Sequence, residues 1–150
     1  MPDTIDIAIL NLLQQDATLS VQAIAEKVNL TTSPCWRRIQ ALEDQGYIRR
    51  RVALLNRQPL ALGVDVFVFI RTREHNDTWL TDFTEAVLAM PEVMEAYRMS
   101  GDVDYLLRVV VGDIAAYDRF YKRLVSRVKL ADVSSSFAME QLKYTTALPL

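Results

Sequence analysis

The hydrophobic positions of the first fifty residues recur at helical spacing in three successive stripes. The stripes consist of Ile5, Ile9 and Leu12 or Leu13, then Val21, Ile24, Ala25 and Val28, then Cys35, Ile39 and Leu42. The first stripe predicts a helix over 4–15, Ser20 is positioned to cap the second helix, and Thr32 or Ser33 to cap the third. Gly46 follows the third stripe, where a helix should end. Two such helices joined by a short polar turn are typical of a helix-turn-helix whose second helix can enter a DNA groove.

The outward face of the third predicted helix is polar and cationic, whereas a solvated helix usually mixes its charges. We therefore predict that it contacts DNA. Arg38 and the cluster 49–51 are assigned to phosphate, and a groove is assigned to Ser33, Trp36, Arg37 and Gln40. The predicted DNA-binding residues are Thr32, Ser33, Pro34, Trp36, Arg37, Arg38, Gln40, Arg49, Arg50 and Arg51. The alternative is an ordinary helical hairpin with an exposed basic face.

The arginine cluster 49–51 falls between two short apolar segments, 47–48 and 52–55. Apolar segments of this length on either side of a polar turn are typical of two paired strands. We predict that they form the small hairpin wing of a winged helix-turn-helix, with the arginines facing the DNA backbone.

From Val64 onward, strand-like and helical segments alternate. Strands rich in β-branched and aromatic residues are predicted at 64–73, 93–99, 105–111 and 133–142. Helices are predicted from Asp77 or Thr78 to Met90 and from Ile114 to Val128. The order β-α-β-β-α-β is that of a ferredoxin-like sandwich. The predicted fold class is α+β, with a winged helix-turn-helix domain at 1–58, a connector at 59–63 and an effector-binding and oligomerisation domain at 64–150.

Large apolar residues occupy both faces of the first strand of this second domain. Val66 and Val68 point to one side, and Phe67 and Phe69 point to the other. The two helices of a βαββαβ unit cover only one face of the sheet, so the other face needs a partner. We predict a homodimer that forms through the sheets, with higher assembly open to it.

Charge is unevenly distributed along a chain whose net charge is −2. Residues 33–58 carry six arginines against two acids, whereas residues 59–150 carry ten basic and thirteen acidic side chains. A local basic patch is enough for phosphate contact. A hydrophobic content of 51% indicates packed cores, and no apolar run is long enough to span a membrane. The start of the chain does not resemble a signal peptide, and the single cysteine excludes an internal disulfide, so we predict a cytoplasmic location.

Two further features could carry chemistry. Cys35 lies near two arginines, which would favour a redox-sensing thiolate, but its place in an apolar stripe predicts a packed thiol. Asp102 and Asp104 follow Gly101 in a turn, and two acids without a nearby His or Cys make a weak metal site. A turn with free backbone groups and a carboxylate suits the zwitterion of an amino acid instead. We find no catalytic constellation in the sequence and predict no enzyme activity, no cofactor and no metal.

Several segments together resemble the Lrp/AsnC family of feast-or-famine transcription regulators. These segments are 30–35 (LTTSPC), 38–39, 42–43, 45–46, 52–55, 100–107 (SGDVDYLL) and 134–140 (SSSFAME). The resemblance implies a winged helix-turn-helix joined to an αβ-sandwich ligand domain. It also implies dimers that assemble into tetramers or octamers, with double-stranded DNA as partner and an amino-acid effector bound between dimers.

Carried over position by position, the resemblance also implies an effector site. Its residues are Gly101, Asp102, Asp104, Ile114, Ser136, Phe137 and Ala138. Leucine-sensing members of the family carry a bulkier residue where Ser136 stands, which favours a small or polar effector. The segments 12–16, 31–36, 120–125 and 134–148 resemble cysteine-responsive members, which implies L-cysteine. The alternatives are leucine, methionine or another amino acid, or an architectural, nucleoid-type DNA-binding protein that needs no effector.

Overall fold

The computed structural model describes all residues from 1 to 150 and divides the chain into two compact units. The first unit comprises Met1–Leu54 and Leu142–Leu150, and the second comprises Leu55–Gln141. The helices are α1 (Thr4–Gln15), α2 (Val21–Lys27), α3 (Thr32–Asp44), α4 (Asp77–Leu88) and α5 (Ile114–Arg127). The strands are β1 (Val64–Arg71), β2 (Val93–Arg98), β3 (Tyr105–Val111) and β4 (Asp132–Phe137). None of the helices combines the length and apolar character needed to cross a membrane.

The first unit is a helix-turn-helix whose core is built from the three predicted stripes. Ile9 of α1, Ile24 of α2 and Cys35 of α3 are almost completely buried, and Ile39 and Leu42 close the same core. Full burial of a large aliphatic side chain contributes about 1.5–3 kcal/mol. The buried stripe therefore decides which face of α3 points inward and leaves its polar face exposed.

Residues with a left-handed backbone conformation follow both α2 and α3. Asn29 follows α2 with a φ of 56°, and Gly46 follows α3 with a φ of 78°. In each case the next residue donates its N–H to a carbonyl five residues earlier, at 2.9 Å. This is the Schellman arrangement, which satisfies carbonyls left over at a helix end. Gly46 thus ends α3 where the sequence predicts.

The predicted strands of the hairpin wing, at 47–48 and 52–55, are not formed. Residues 49–56 have no strand pairing. The N–H groups at 47–48 donate to the carbonyl of Leu42 at distances of 2.9 and 3.3 Å, so the segment begins as a helix ending. With 47–48 taken up by the helix ending, 52–55 has no strand beside it, and an isolated two-stranded hairpin is marginally stable at best.

The second unit is a four-stranded antiparallel sheet in the order β2-β3-β1-β4, as a βαββαβ topology requires. Its core lies between the sheet and the helices α4 and α5. Val66, Val68 and Ile70 of β1 and Leu107 and Val109 of β3 are completely buried against them. The α+β fold class predicted from the sequence is confirmed.

β4 ends at Phe137, five residues before the predicted end of the last strand. Ala138 still donates its N–H to the carbonyl of Asp65, at 3.0 Å. β1 begins at Val64, however, so in this antiparallel register only Val64 remains opposite the chain beyond Ala138. The start of β1 therefore leaves no partner for the predicted strand residues 140–142.

The C-terminal segment 142–150 belongs to the first unit, although the sequence places it in the second domain. There the carboxamide of Gln14 in α1 binds the backbone of Leu148 on both sides. Its nitrogen donates to the Leu148 carbonyl at 2.9 Å, and its oxygen accepts the Leu148 N–H at 2.8 Å. The boundary between the two units falls at 54–55, a few residues before the predicted boundary at 58.

Candidate DNA-binding and effector sites

The exposed face of α3 displays the side chains predicted to enter a DNA groove. Successive helical residues are rotated by about 100°, so Ser33 and Arg37 lie opposite the buried stripe. Arg37 is exposed and forms no salt bridge, and Trp36 beside it is 51% exposed despite its large apolar ring. Gln40 is half-buried and donates to the carboxylate of Glu43 at 3.1 Å. The helix therefore presents an aromatic ring, a free cation and hydroxyl groups on one surface.

The N-terminus of α3 carries no side-chain cap. Its N-cap residue is Thr31, so the predicted caps Thr32 and Ser33 are one or two residues too late, and no side chain accepts a hydrogen bond there. Thr32 and Ser33 are exposed, and Pro34 lies half-buried in the first turn, where its missing N–H costs little. The N–H groups at this end lack a side-chain acceptor, an arrangement that favours an incoming anion.

Arg38, which the sequence assigns to phosphate, binds two carboxylates at the start of α1. Its Nη1 donates to Asp3 Oδ2 and to Asp6 Oδ1, both at 2.7 Å. These bonds, that to Asp3 first, raise the pKa of Arg38 above its ordinary value. The N–H of Asp6 and then the guanidinium of Arg38 lower the pKa of Asp3. Arg38 thus lies at the contact between α1 and α3.

The arginine cluster 49–51 contains both paired and unpaired side chains. Arg49 and Arg50 are exposed and have no carboxylate partner. Arg51 donates through Nη2 to Glu43 Oε1 near the end of α3, at 2.8 Å. Two of the three cations therefore remain available to a polyanion.

Cys35 is completely buried in the core of the first unit. Burial raises the pKa of its thiol above the ordinary value of 9.0, because the charged thiolate is poorly solvated there. A redox sensor needs an accessible thiolate. The packed thiol predicted from the apolar stripe is what the structure contains.

The turn between β2 and β3 holds the first group of predicted effector residues. Gly101 has a φ of 113°, a conformation that glycine tolerates best. The carboxylate of Asp104 accepts the N–H of Thr72 at 2.8 Å and so links this turn to the chain that follows β1. β1 ends at Arg71, two residues before its predicted end. Asp102 is exposed, and only its carbonyl is engaged, by Arg71 Nε at 2.7 Å. Nowhere in the chain do three or more His, Cys, Asp or Glu side chains gather as metal ligands.

The second group lies around the start of α5 and the end of β4. Ile114 opens α5 with its side chain 72% exposed. Ser136 and Ala138 are exposed at the end of β4 and beyond it. Phe137 packs edge-on against the ring of Tyr117, with centroids 5.3 Å apart.

The two groups lie at opposite ends of the sheet. Both positions can be located along β1. The turn group adjoins Tyr105, which pairs with Ile70, and the end of β4 pairs with Val66 and Phe67. Four residues along a strand correspond to about 13 Å. One chain therefore does not bring the seven predicted effector residues into a single pocket.

A cavity of about 300 Å³ opens beside Asp104, between the start of α4 and the end of β2. Its walls include His75, Trp79, Arg98 and Met99. The volume is at the lower end of the range for small-molecule sites. Of the predicted effector residues, only Asp104 lines it.

Sequence reasoning missed an ion cluster on the sheet face that α4 and α5 leave uncovered. The carboxylate of Asp65 receives Arg57 Nη1 at 2.9 Å and Arg108 Nη1 at 3.0 Å, and Arg108 Nε also binds Glu95 at 3.0 Å. Asp65 is nearly buried. The available signal was one charged residue among the apolar positions inside each of two strands, Asp65 in β1 and Arg108 in β3.

Two protein-family models match the chain. The winged helix-turn-helix DNA-binding model matches residues 2–49, and the Lrp/AsnC ligand binding domain model matches residues 65–148. The first match covers all of α1, α2 and α3, and the second covers nearly the whole sheet with α4 and α5.

Curated relatives match over the full length. The chain is 55% identical to the DNA-binding transcriptional activator DecR of Escherichia coli (strain K12), over 100% of this chain and 99% of that protein. It is 53% identical to the glutamate uptake regulatory protein of Zymomonas mobilis, over 99% of this chain and 90% of that protein.

Solved structures agree with these matches. An AsnC family transcriptional regulator from Agrobacterium tumefaciens is 60% identical and superposes with a TM-score of 0.95, covering 98% of this chain and 96% of its own. A transcriptional regulator from Neisseria meningitidis, crystallised in complex with L-methionine, is 36% identical with a TM-score of 0.94, covering 99% and 97%. With a DNA-binding unit and a ligand-binding unit that both match, the chain belongs to the Lrp/AsnC family of transcription regulators.

Proposed function

We propose that the regulator contacts DNA through the exposed face of α3 and senses a small amino acid, L-cysteine, through its second unit. The main observation in support of this DNA-binding surface is the unpaired cation Arg37 beside the half-exposed ring of Trp36, on the helix face opposite the core. Thr32 and Ser33 at the uncapped N-terminus add hydroxyl and N–H donors for phosphate. Arg49 and Arg50 extend the cationic surface beyond the helix.

An amino-acid effector is supported by the nature of the second unit and by its relatives. The unit matches a ligand-binding domain, and a relative of 36% identity was crystallised with L-methionine. The small Ser136 at the end of β4 leaves room for polar contacts and favours a small effector. Resemblance to cysteine-responsive members makes L-cysteine the first candidate, ahead of methionine, glutamate and leucine.

We propose that two copies of the chain together build the effector site. The turn group at 101–104 and the group around Ile114 and the end of β4 lie about 13 Å apart along the sheet. Residues so far apart can line one small-molecule pocket only when a second copy supplies one of the groups. Effector binding would then change how the copies assemble and how many DNA half-sites they hold at once.

The uncovered sheet face supports a homodimer as the basic assembly. Phe67 and Phe69 of β1, Leu106 of β3 and Tyr97 of β2 remain partly or largely exposed on this face in a single chain. Contiguous apolar surface of this kind marks an interface. We propose that dimers formed here assemble further into tetramers or octamers, in the cytoplasm and without enzyme activity.

The test of effector binding is calorimetric titration of the full-length, DNA-free protein with each of the twenty amino acids. We expect one small amino acid to bind, with L-cysteine the first candidate, and Ile114→Ala to weaken that binding at least tenfold. Leu88→Ala, which shortens an equally exposed aliphatic residue at the end of α4, serves as the matched control. If no amino acid binds at millimolar concentration, the alternative of an architectural DNA-binding protein without an effector gains the support.

A further inference from the structure

The recognition helix α3 is joined to α1 by an ion cluster of three residues. We infer that Arg38 is a positioning residue for DNA binding, which holds α3 at a fixed orientation on α1 through Asp3 and Asp6, and that it does not contact phosphate. The inference rests on the proposed DNA-binding face of α3. It revises the role that the sequence alone gives this arginine.

Helical geometry separates Arg38 from the exposed face. With a rotation of about 100° per residue, Arg37 lies about 200° from the buried Cys35, on the opposite side of the helix. Arg38 lies about 60° from Cys35, at the border where α1 approaches α3. Its guanidinium is accordingly half-buried, and Nη1 reaches both carboxylates of α1 at 2.7 Å.

The two carboxylates are fixed independently of Arg38. Asp3 Oδ1 accepts the N–H of Asp6 at 2.9 Å, and Asp6 Oδ2 accepts the N–H of Asp3 at 3.0 Å. This reciprocal capping box also places both negative charges at the N-terminus of α1, where the helix dipole stabilises them. The start of α1 is therefore a preformed receptor for one cation from α3.

The charge balance of the cluster argues against a phosphate contact. Two carboxylates face one guanidinium, so the cluster carries a net charge of −1 and would repel a DNA phosphate. An arginine that is already paired releases few counterions from DNA, whereas Arg37 and Arg49 are unpaired and can do so. Loss of Arg38 should accordingly alter the orientation of α3 without altering the number of phosphates neutralised.

The test compares Arg38→Gln with Arg49→Gln in the full-length protein. Binding to a random-sequence DNA duplex is measured by fluorescence anisotropy over a series of salt concentrations, with circular dichroism to verify folding. We expect Arg49→Gln to flatten the logarithmic salt dependence by about 0.9 for each bound protomer. Arg38→Gln should weaken binding several-fold at every salt concentration and leave the slope unchanged, and Arg38→Lys should restore most of the affinity.

A second variant removes the receptor and leaves the arginine. If Arg38 positions α3, the double substitution Asp3→Asn and Asp6→Asn weakens DNA binding as Arg38→Gln does, and combining all three substitutions adds no further loss. The two aspartate substitutions are also compared in the wild-type and Arg38→Gln backgrounds. If they tighten DNA binding more in the wild-type background than in the Arg38→Gln background, the inference is overturned. A flattened slope or wild-type affinity in Arg38→Gln would overturn it as well. An unchanged slope in Arg49→Gln would instead count against the proposed DNA-binding surface.

Discussion

At the scale of single residues, Asn29 shows how one backbone conformation places the recognition helix. It lies between α2 and α3 with a φ of 56°, in the left-handed region that most residues avoid. Asparagine enters this region more readily than other non-glycine residues. The turn that directs α3 away from α2 therefore depends on a residue without buried apolar contacts of its own.

Substitutions at Asn29 should follow backbone preference and not side-chain size. We expect Asn29→Ala to lower the free energy of unfolding by about 1 kcal/mol, because the Cβ of alanine is sterically strained in the left-handed conformation and its side chain forms no compensating hydrogen bond. Asn29→Gly should be neutral or slightly stabilising. Urea unfolding of both variants and the wild type measures this difference, and equal stability of the alanine and glycine variants would contradict it.

At the scale of elements, the sequence predicts best what is determined locally. The stripe of Cys35, Ile39 and Leu42 correctly identifies the inward face of α3, because helical periodicity alone decides it. Gly46 correctly marks the end of the helix. The predicted wing strands at 47–48 and 52–55 are wrong, because 47–48 continue the helix ending and an isolated two-stranded hairpin is marginally stable at best.

Ion pairs between segments distant in the chain were also not predicted from the sequence. Arg38 reads as one more cation on a basic helix, and only the folded chain shows that Asp3 and Asp6 lie beside it. The ion cluster around Asp65 on the uncovered sheet face is a similar case. The effector residues came from family resemblance, and their roles remain predictions.

The uncovered sheet face permits a direct test of the proposed dimer. We expect the wild-type protein to sediment as a dimer or a larger assembly, and Phe69→Asp to shift it towards the monomer, because a buried unpaired carboxylate is costly in an interface. Leu88→Asp, on the exposed end of α4, is the control and should leave the assembly unchanged. A monomeric wild type, or a Phe69→Asp variant that still assembles, would contradict the proposed interface.

At the scale of the whole molecule, the chain joins a DNA-binding unit to a ligand-binding unit, and its predicted effector residues form two separate groups. Since the turn at 101–104 and the end of β4 lie at opposite ends of one sheet, a shared pocket requires more than one copy. Ligand binding and assembly are then coupled, because each stabilises the other. This coupling is how an amino acid could alter DNA binding without touching α3.

The decisive measurement for effector-controlled DNA binding is the affinity of the full-length protein for DNA, with and without the effector. Duplexes selected from a random library by the protein itself serve as the probe, and titrations are repeated in millimolar L-cysteine and in each other amino acid. We expect one small amino acid to change the affinity or the number of protomers bound at least fivefold, and Ile114→Ala to abolish the change. Identical binding curves with all twenty amino acids would contradict this expectation.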